Sequence, residues 1–176
     1  MIEQDLLGEW LMSRTRSYMF VLWADRFDES AATVFVTEFR IAGLRTKLVS
    51  LVSHASAGAY GLALAPDLTL DQALPLAGRA ACVVIPGGAA AVKRLGDDPR
   101  LRIFLAEAHA QGALFVVGTD GEGALGGILG GGVSPVNVLA FSGRAGLVEC
   151  AGRVARRFTP VAPSTRTPQF SLPALL

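Results

Sequence analysis

A short polar sequence, Thr119-Asp120-Gly121, follows a continuous apolar run and precedes a stretch of small residues. The apolar run ALFVV at 113–117 predicts a buried strand that turns directly into a helix. Such a turn lifts one side chain above a sheet, beside the backbone N–H groups of a helix N-terminus. Thr119 is therefore the first candidate for chemistry, as a hydroxyl nucleophile.

A threonine hydroxyl needs an adjacent general base before it can attack a substrate. Asp120 could act as that base or accept a hydrogen bond from a ligand amine. A carboxylate near a helix N-terminus is also a favourable electrostatic arrangement without any chemical role. The two histidines cannot be assigned as the base, because His54 follows a predicted strand and His109 lies on a predicted helix.

The chain has two cysteines, Cys82 and Cys150. Cys82 lies inside the apolar run ACVVI, where cysteine behaves as a small hydrophobe. Cys150 falls near the edge of a predicted C-terminal strand pair, where it could be exposed. These contexts do not indicate a disulfide framework, and a metal site needs more Cys or His. We expect no metal and no cofactor.

Short apolar runs alternate along the chain with stretches of helical periodicity. Buried strands are predicted at 18–23, 47–52, 80–85 and 113–117. Helices are predicted at 30–42, where Ser30 is a suitable N-cap, and at 89–95 and 99–111. A hairpin-like segment is predicted at 60–65, and an antiparallel strand pair at 136–141 and 146–150.

This alternation predicts βαβ units and a mostly parallel sheet, with ligands bound beyond the carboxyl ends of the strands. We expect three parts: an N-terminal extension at 1–17, an α/β domain at 18–152 and a Pro-rich extended tail at 153–176. The extension carries an apolar stripe that predicts a helix, made of Leu6, Leu7, Trp10 and Leu11.

The run VVIPGG, a following helix and then ALFVVGTDGEGAL resemble the ThiJ/PfpI family of the class I glutamine amidotransferase-like superfamily. FVLWAD, EFRIAGLRTKLV and APDLTL extend the resemblance over roughly residues 18 to 130. It implies a flavodoxin-like three-layer α/β sandwich with a mostly parallel central sheet, and a truncated or altered C-terminal part. It also implies association, so we expect a homo-oligomer or a subunit of a larger protein assembly.

The resemblance places the family's nucleophilic cysteine at Thr119, so a thiol is replaced by a hydroxyl. It places the family's acidic partner at Ala31, with Asp28 and Glu29 nearby. Glu29 would reach Thr119 only if the loop shifted by two residues, which turns a helical side chain to about the opposite face.

The resemblance also implies an anion-stabilising pocket formed by backbone N–H groups at Gly87, Gly88 and Gly121. Glycines in such turns equally permit a tight bend without any ligand. Both interpretations of these three glycines remain open.

The 176 residues are 51% hydrophobic and carry a net charge of +1, without a basic block. We therefore expect no nucleic acid partner and no anionic lipid partner. The longest apolar runs are too short to cross a bilayer, and the N-terminus lacks the features of a secretory signal. The simplest expectation is a cytoplasmic protein.

Two hypotheses follow from these residues. The first is a non-catalytic protein of this family that acts as a binding, structural or assembly subunit. The second is a hydrolase, lyase or glyoxalase-like and deglycase-like enzyme that uses Thr119 and Asp120, with Glu29 as a possible helper. A third idea, a ligand-sensing regulator, would require a DNA-binding module, and the chain has no room for one.

Overall fold

The computed structural model describes residues 17–130 and 137–159. In this part of the chain, six strands form one parallel sheet in the order β5-β2-β1-β6-β7-β8. These strands are β1 (Tyr18–Trp23), β2 (Thr46–Ser50), β5 (Leu68–Thr69), β6 (Ala80–Val84), β7 (Leu114–Gly118) and β8 (Val138–Phe141). The predicted hairpin is present slightly earlier than expected, as the antiparallel pair β3 (Ser56–Ala57) and β4 (Ala63–Leu64).

The β3–β4 hairpin connects β2 to β5, and helices connect the other consecutive parallel strands. The helices are α1 (Glu29–Ile41), α2 (Leu70–Ala73), α3 (Ala89–Gly96), α4 (Pro99–Ala110), α5 (Glu122–Ile128) and α6 (Gly143–Phe158). Two short 3₁₀ helices, at Leu74–Arg79 and Thr119–Gly121, complete the described elements.

The sheet is covered on both faces, which explains why its central strands are continuous apolar runs. On one face Phe20 packs edge-on against Phe104 of α4, with ring centroids 5.2 Å apart. On the other face β1 packs against α1, whose Phe35 ring contacts Phe141 at 5.7 Å. The predicted flavodoxin-like three-layer sandwich with a mostly parallel sheet is confirmed.

The predicted antiparallel pair at 136–141 and 146–150 is wrong. β8 pairs in parallel with β7, and the chain then enters helix α6. The helix forms because its apolar residues recur at helical spacing and pack beside α1. These residues are Leu147, Cys150, Ala151, Val154 and Ala155.

One predicted helix boundary also changes. Helix α1 begins at Glu29 with Asp28 as its N-cap, rather than at Ser30, because the Asp28 carboxylate accepts from the Ala31 N–H at 2.9 Å. The predicted domain end at 152 falls inside α6, which continues to Phe158. The predicted N-terminal helix, and the tail from 160 onward, lie outside the described residues.

The carboxyl ends of four neighbouring strands, β1, β6, β7 and β8, lie side by side along one edge of the sheet. This edge is where a parallel α/β sheet presents its ligand site. No helix within the described ranges is long and apolar enough to cross a membrane.

Candidate functional site

The predicted strand-to-helix turn is confirmed. β7 ends at Gly118, one 3₁₀ turn spans Thr119–Gly121, and α5 begins at Glu122. The Gly118 N–H donates to the carbonyl of Gly87 at 2.8 Å. The turns that follow β6 and β7 are therefore in direct backbone contact.

The glycines of these two turns are required by close packing. A Cβ at Gly118 would lie 2.9 Å from the Gly87 oxygen, and one at Gly121 would lie 2.5 Å from a methyl group of Val117. A Cβ at Gly88 would overlap the Asp120 carboxylate. Gly87 also has a φ of +143°, which side-chain-bearing residues rarely adopt. The packing interpretation is sufficient for all three predicted pocket glycines.

The Thr119 hydroxyl donates a hydrogen bond to the carbonyl oxygen of Phe141 at 2.9 Å. Within the described residues this is the hydroxyl's one hydrogen-bond partner. The bond ties the turn after β7 to the end of β8. The hydroxyl proton therefore points at a backbone carbonyl and not at a carboxylate or an imidazole.

The backbone at Thr119 is also relaxed. Nucleophile elbows hold their reactive residue on a strained turn. Among the described residues other than glycine, Arg26 has a positive φ, of 55°, and Thr119 does not. The turn keeps the strand-to-helix shape without that strain.

Glu29 is directed away from Thr119, toward the loop that joins β3 to β4. Its Oε1 accepts from the N–H of Tyr60 at 2.6 Å and from the N–H of Leu62 at 3.3 Å. The residue is 5% exposed, and its Oε2 has no hydrogen-bond partner in the described structure. The first-turn position of Glu29 on α1 sends the side chain to the loop, so this structure does not bring Glu29 and Thr119 together.

The Glu29 carboxyl is held as an anion. Burial raises the pKa of Glu29. Hydrogen bonds from the backbone N–H groups of Glu29 itself and of the loop at 60–62 lower the pKa, and together they outweigh the effect of burial. The net pKa lies below the ordinary value of 4.5. A carboxylate in this state anchors a loop and is a poor proton donor.

Asp28 is the acidic residue of α1 that faces the turn. It lines a shallow cleft of about 350 Å³ together with the two glycine turns, Thr119, Asp120 and the segment 141–143. From the sequence, Asp28 was expected only to lie near Ala31, the position assigned to the family's acidic partner. The N-cap preference of aspartate was the signal that could have placed it correctly.

A second cavity, of about 220 Å³, adjoins the first and shares Asp28, Phe141 and Gly143 with it. Tyr60 and Arg144 also line this second cavity. Arg144 was not a sequence candidate, because the segment that carries it was expected to be a turn between strands.

The two thiols lie outside this edge of the sheet and are buried. Cys82 is completely buried in β6, and burial raises its pKa far above the usual range. Cys150 is 3% exposed on the inner face of α6, so its predicted exposure is wrong. Burial also raises the pKa of Cys150, although Arg153 opposes the shift.

Neither histidine lines the cleft or the adjoining cavity. His54 lies beside the end of β2. His109 lies on α4, where its ring packs near Phe115 of β7. Across residues 17–130 and 137–159, no three His, Cys, Asp or Glu side chains come together as a metal site would require.

A sequence model of the DJ-1/PfpI family matches residues 18–121, which is more than half of the chain. The chain belongs to the DJ-1/PfpI family. The match begins at β1 and ends at the turn that carries Thr119. It therefore includes both glycine turns of the cleft.

Solved DJ-1 structures share this fold at low sequence identity. A DJ-1 superfamily protein from Salmonella typhimurium is 20% identical, with a TM-score of 0.68 over 80% of this chain and 89% of that one. Drosophila melanogaster DJ-1beta is 17% identical, with a TM-score of 0.70 over 82% of this chain and 91% of that one. Oxidized Toxoplasma gondii DJ-1 is 18% identical, with a TM-score of 0.66 over 81% of this chain and 95% of that one. The comparison with curated proteins found no match.

Proposed function

We propose that this DJ-1/PfpI protein is non-catalytic and acts as a binding, structural or assembly subunit. The observation that carries the proposal is the hydrogen bond from the Thr119 hydroxyl to the Phe141 carbonyl. A nucleophilic hydroxyl must transfer its proton to a base as it attacks. A backbone carbonyl does not accept that proton at neutral pH, so the hydroxyl stays protonated.

The neighbouring carboxylates support the same conclusion. Asp120 is exposed, and its carboxylate packs against Gly88. Asp28 uses Oδ1 as a helix cap, and Glu29 is bonded to the loop at 60–62. Each of these groups has a structural role that does not include Thr119.

Association is the second part of the proposal. Several large apolar side chains are exposed on different elements, including Ile41 at 78% and Ile103 at 63%. We infer a homo-oligomer or a place in a larger protein assembly from the family resemblance, because single exposed apolar side chains define no interface. The cytoplasmic location expected from the sequence remains a prediction.

The second candidate is a hydrolase, lyase or glyoxalase-like enzyme that uses Thr119 and Asp120. Both residues are exposed and line the same cleft at the turn before α5, which favours this candidate. In this case Asp120 would act as the general base after a rotation of its side chain. The two candidates differ in one measurable property, which is turnover that depends on Thr119.

The test measures methylglyoxal consumption, aminopeptidase activity and esterase activity of the full-length protein. Thr119→Ala and Thr119→Ser are assayed beside the unmodified chain. We expect rates equal to the buffer rate for all three proteins. Activity that is lost in Thr119→Ala and retained in Thr119→Ser would refute the non-catalytic assignment, because serine keeps the hydroxyl that alanine removes.

A further inference from the structure

The 220 Å³ cavity beside the turn is open to solvent and is lined by the start of α1, the loop between β3 and β4, the end of β8 and the start of α6. Asp28, Tyr60 and Arg144 belong to the first, second and last of these elements. The volume lies below the range of about 300–1,000 Å³ that is usual for drug-sized ligands. Any ligand of this cavity is therefore a small molecule.

The cavity wall carries charges of opposite sign that do not neutralise each other. Asp28 and Arg144 both line it, yet no ion pair joins them. Asp28 uses Oδ1 to accept from the Ala31 N–H, and its Oδ2 has no hydrogen-bond partner among the described residues. Arg144 likewise has neither a hydrogen bond nor an ion pair within that part of the chain. The cavity thus holds a carboxylate and a guanidinium apart.

We propose that this cavity binds a small zwitterion that carries one ammonium group and one carboxylate group. This proposal rests on the proposed function, because it names the class of ligand for a binding protein. The ammonium group contacts the carboxylate of Asp28, and the carboxylate group contacts the guanidinium of Arg144.

Coulomb interactions exclude the simpler ligands. A small anion would be attracted by Arg144 and repelled by Asp28. A small cation would be attracted by Asp28 and repelled by Arg144. A molecule with both charges gains both attractions. Ser30 and Tyr60 line the same cavity, and each carries a hydroxyl that can hydrogen-bond to a ligand.

The wall is held in place before any ligand arrives. The Glu29 carboxylate accepts from the N–H of Tyr60, and the N–H of Ala59 donates to the carbonyl of Phe27 at 2.9 Å. These bonds fix the backbone of the loop, which lowers the entropy cost of binding. The Tyr60 side chain is 84% exposed and becomes ordered only when its ring covers a ligand.

The experiment titrates the full ¹⁵N-labelled chain with four probes and follows the backbone amide shifts. The probes are 4-aminobutyrate and L-alanine as zwitterions, n-butylamine as the cation and butyrate as the anion. We expect a zwitterion to bind with a Kd in the millimolar range or tighter, which a ligand of this size allows. The shifts should centre on the amides near Asp28, Tyr60 and Arg144.

Two charge-removing variants test the assigned contacts. Asp28→Asn removes the negative charge and keeps an excellent N-cap, so the fold of α1 is preserved. Arg144→Gln removes the positive charge from an exposed position. We expect each variant to weaken zwitterion binding about tenfold or more, as the loss of a charge-assisted hydrogen bond predicts. Arg102→Gln, on the exposed face of α4, is the matched control and should leave binding unchanged.

The proposal fails if no probe binds, if butyrate or butylamine binds as tightly as the zwitterions, or if Asp28→Asn leaves zwitterion binding unchanged. These results leave the non-catalytic assignment intact, because that assignment depends on the Thr119 activity assays. Turnover that requires the Thr119 hydroxyl would refute the assignment whatever the titrations show.

Discussion

At the scale of single residues, the chemistry of this protein depends on where three carboxylates point. Asp28 caps α1 and faces the cleft, Glu29 anchors the loop at 60–62, and Asp120 packs against Gly88. Asp28 is the N-cap and has an extended backbone, whereas Glu29 is the first helical residue, so their side chains leave the chain in different directions. Asp28 and Glu29 therefore have different roles although they are neighbours in the sequence.

Glu29 should make the stability of the protein depend on acid pH. Its folded-state pKa is lowered from the ordinary value of 4.5, so its contribution to stability is present above that value and is lost as the pH falls through the folded pKa. In Glu29→Gln this contribution is missing at every pH. We expect the Tm difference between the two proteins to be largest near neutral pH and to shrink on acidification.

The measurement is thermal unfolding of both proteins in buffers from about pH 7 to about pH 3. Glu122→Gln is the control, because Glu122 is an exposed first-turn carboxylate of α5. The Tm difference between Glu122→Gln and the unmodified chain should depend on pH less than that of Glu29→Gln. If the Tm difference of Glu29→Gln does not shrink on acidification, the carboxylate does not contribute as described.

At the scale of elements, the loop between β3 and β4 is built around Glu29. The N–H of Arg26 donates to the carbonyl of Ala57 at 2.9 Å, and the Gly58 N–H donates to the Leu62 carbonyl at 3.0 Å. The Glu29 side chain fills the space in which a Cβ of residue 58 would lie. The loop and the start of α1 therefore form one packed unit.

Gly58→Ala should destabilise the protein by about 1–3 kcal/mol, which is the usual cost of overpacking. The new methyl group would overlap the Glu29 side chain and displace it from the loop. Urea unfolding measures the change. Gly123→Ala is the matched control, since a Cβ there meets nothing within 4 Å, and it should raise stability by about 0.5–1 kcal/mol. Equal effects of both changes would contradict the packing described for Gly58.

The local sequence pattern was sufficient to predict some of the helices and strands and not others. The strand at 113–117 was correctly predicted, because five consecutive apolar residues followed by a glycine leave few alternatives. The segment around Gly143 and Gly146 was predicted to belong to a strand pair, but it begins helix α6, although a glycine in a helix interior costs about 0.5–1 kcal/mol. Packing of α6 beside α1 outweighs that cost. The helical spacing of Leu147, Cys150 and Val154 was visible in the sequence and was the signal to follow.

At the scale of the whole molecule, the two-sided sheet leaves its large exposed apolar residues on the outer helices and loops. Ile41 ends α1, Ile103 lies on α4, and Val148 lies on α6. These helices belong to both outer layers of the sandwich. Scattered apolar side chains of this kind are ordinary on protein surfaces, so they do not by themselves locate an interface.

The full-length chain should associate in solution. We expect sedimentation velocity to give a mass of at least twice 18.4 kDa, with a monomer fraction that rises on dilution as mass action requires. If the chain co-purifies with a larger assembly, that complex replaces the homo-oligomer as the expected species. A monomer at every concentration, without any bound partner, would contradict the prediction.

The sequence by itself determined the four central strands up to the turn after β7, the helices between them, the two glycine turns and the threonine at the strand-to-helix turn. These features depend on neighbouring residues, through hydrophobic period and backbone freedom. Only the tertiary structure decided which groups meet. The partner of the Thr119 hydroxyl is 22 residues away on β8, and the partner of Glu29 is 31 residues away in a loop. Contacts at such separations depend on how the layers pack, because strand register and helix rotation decide which side chains face each other.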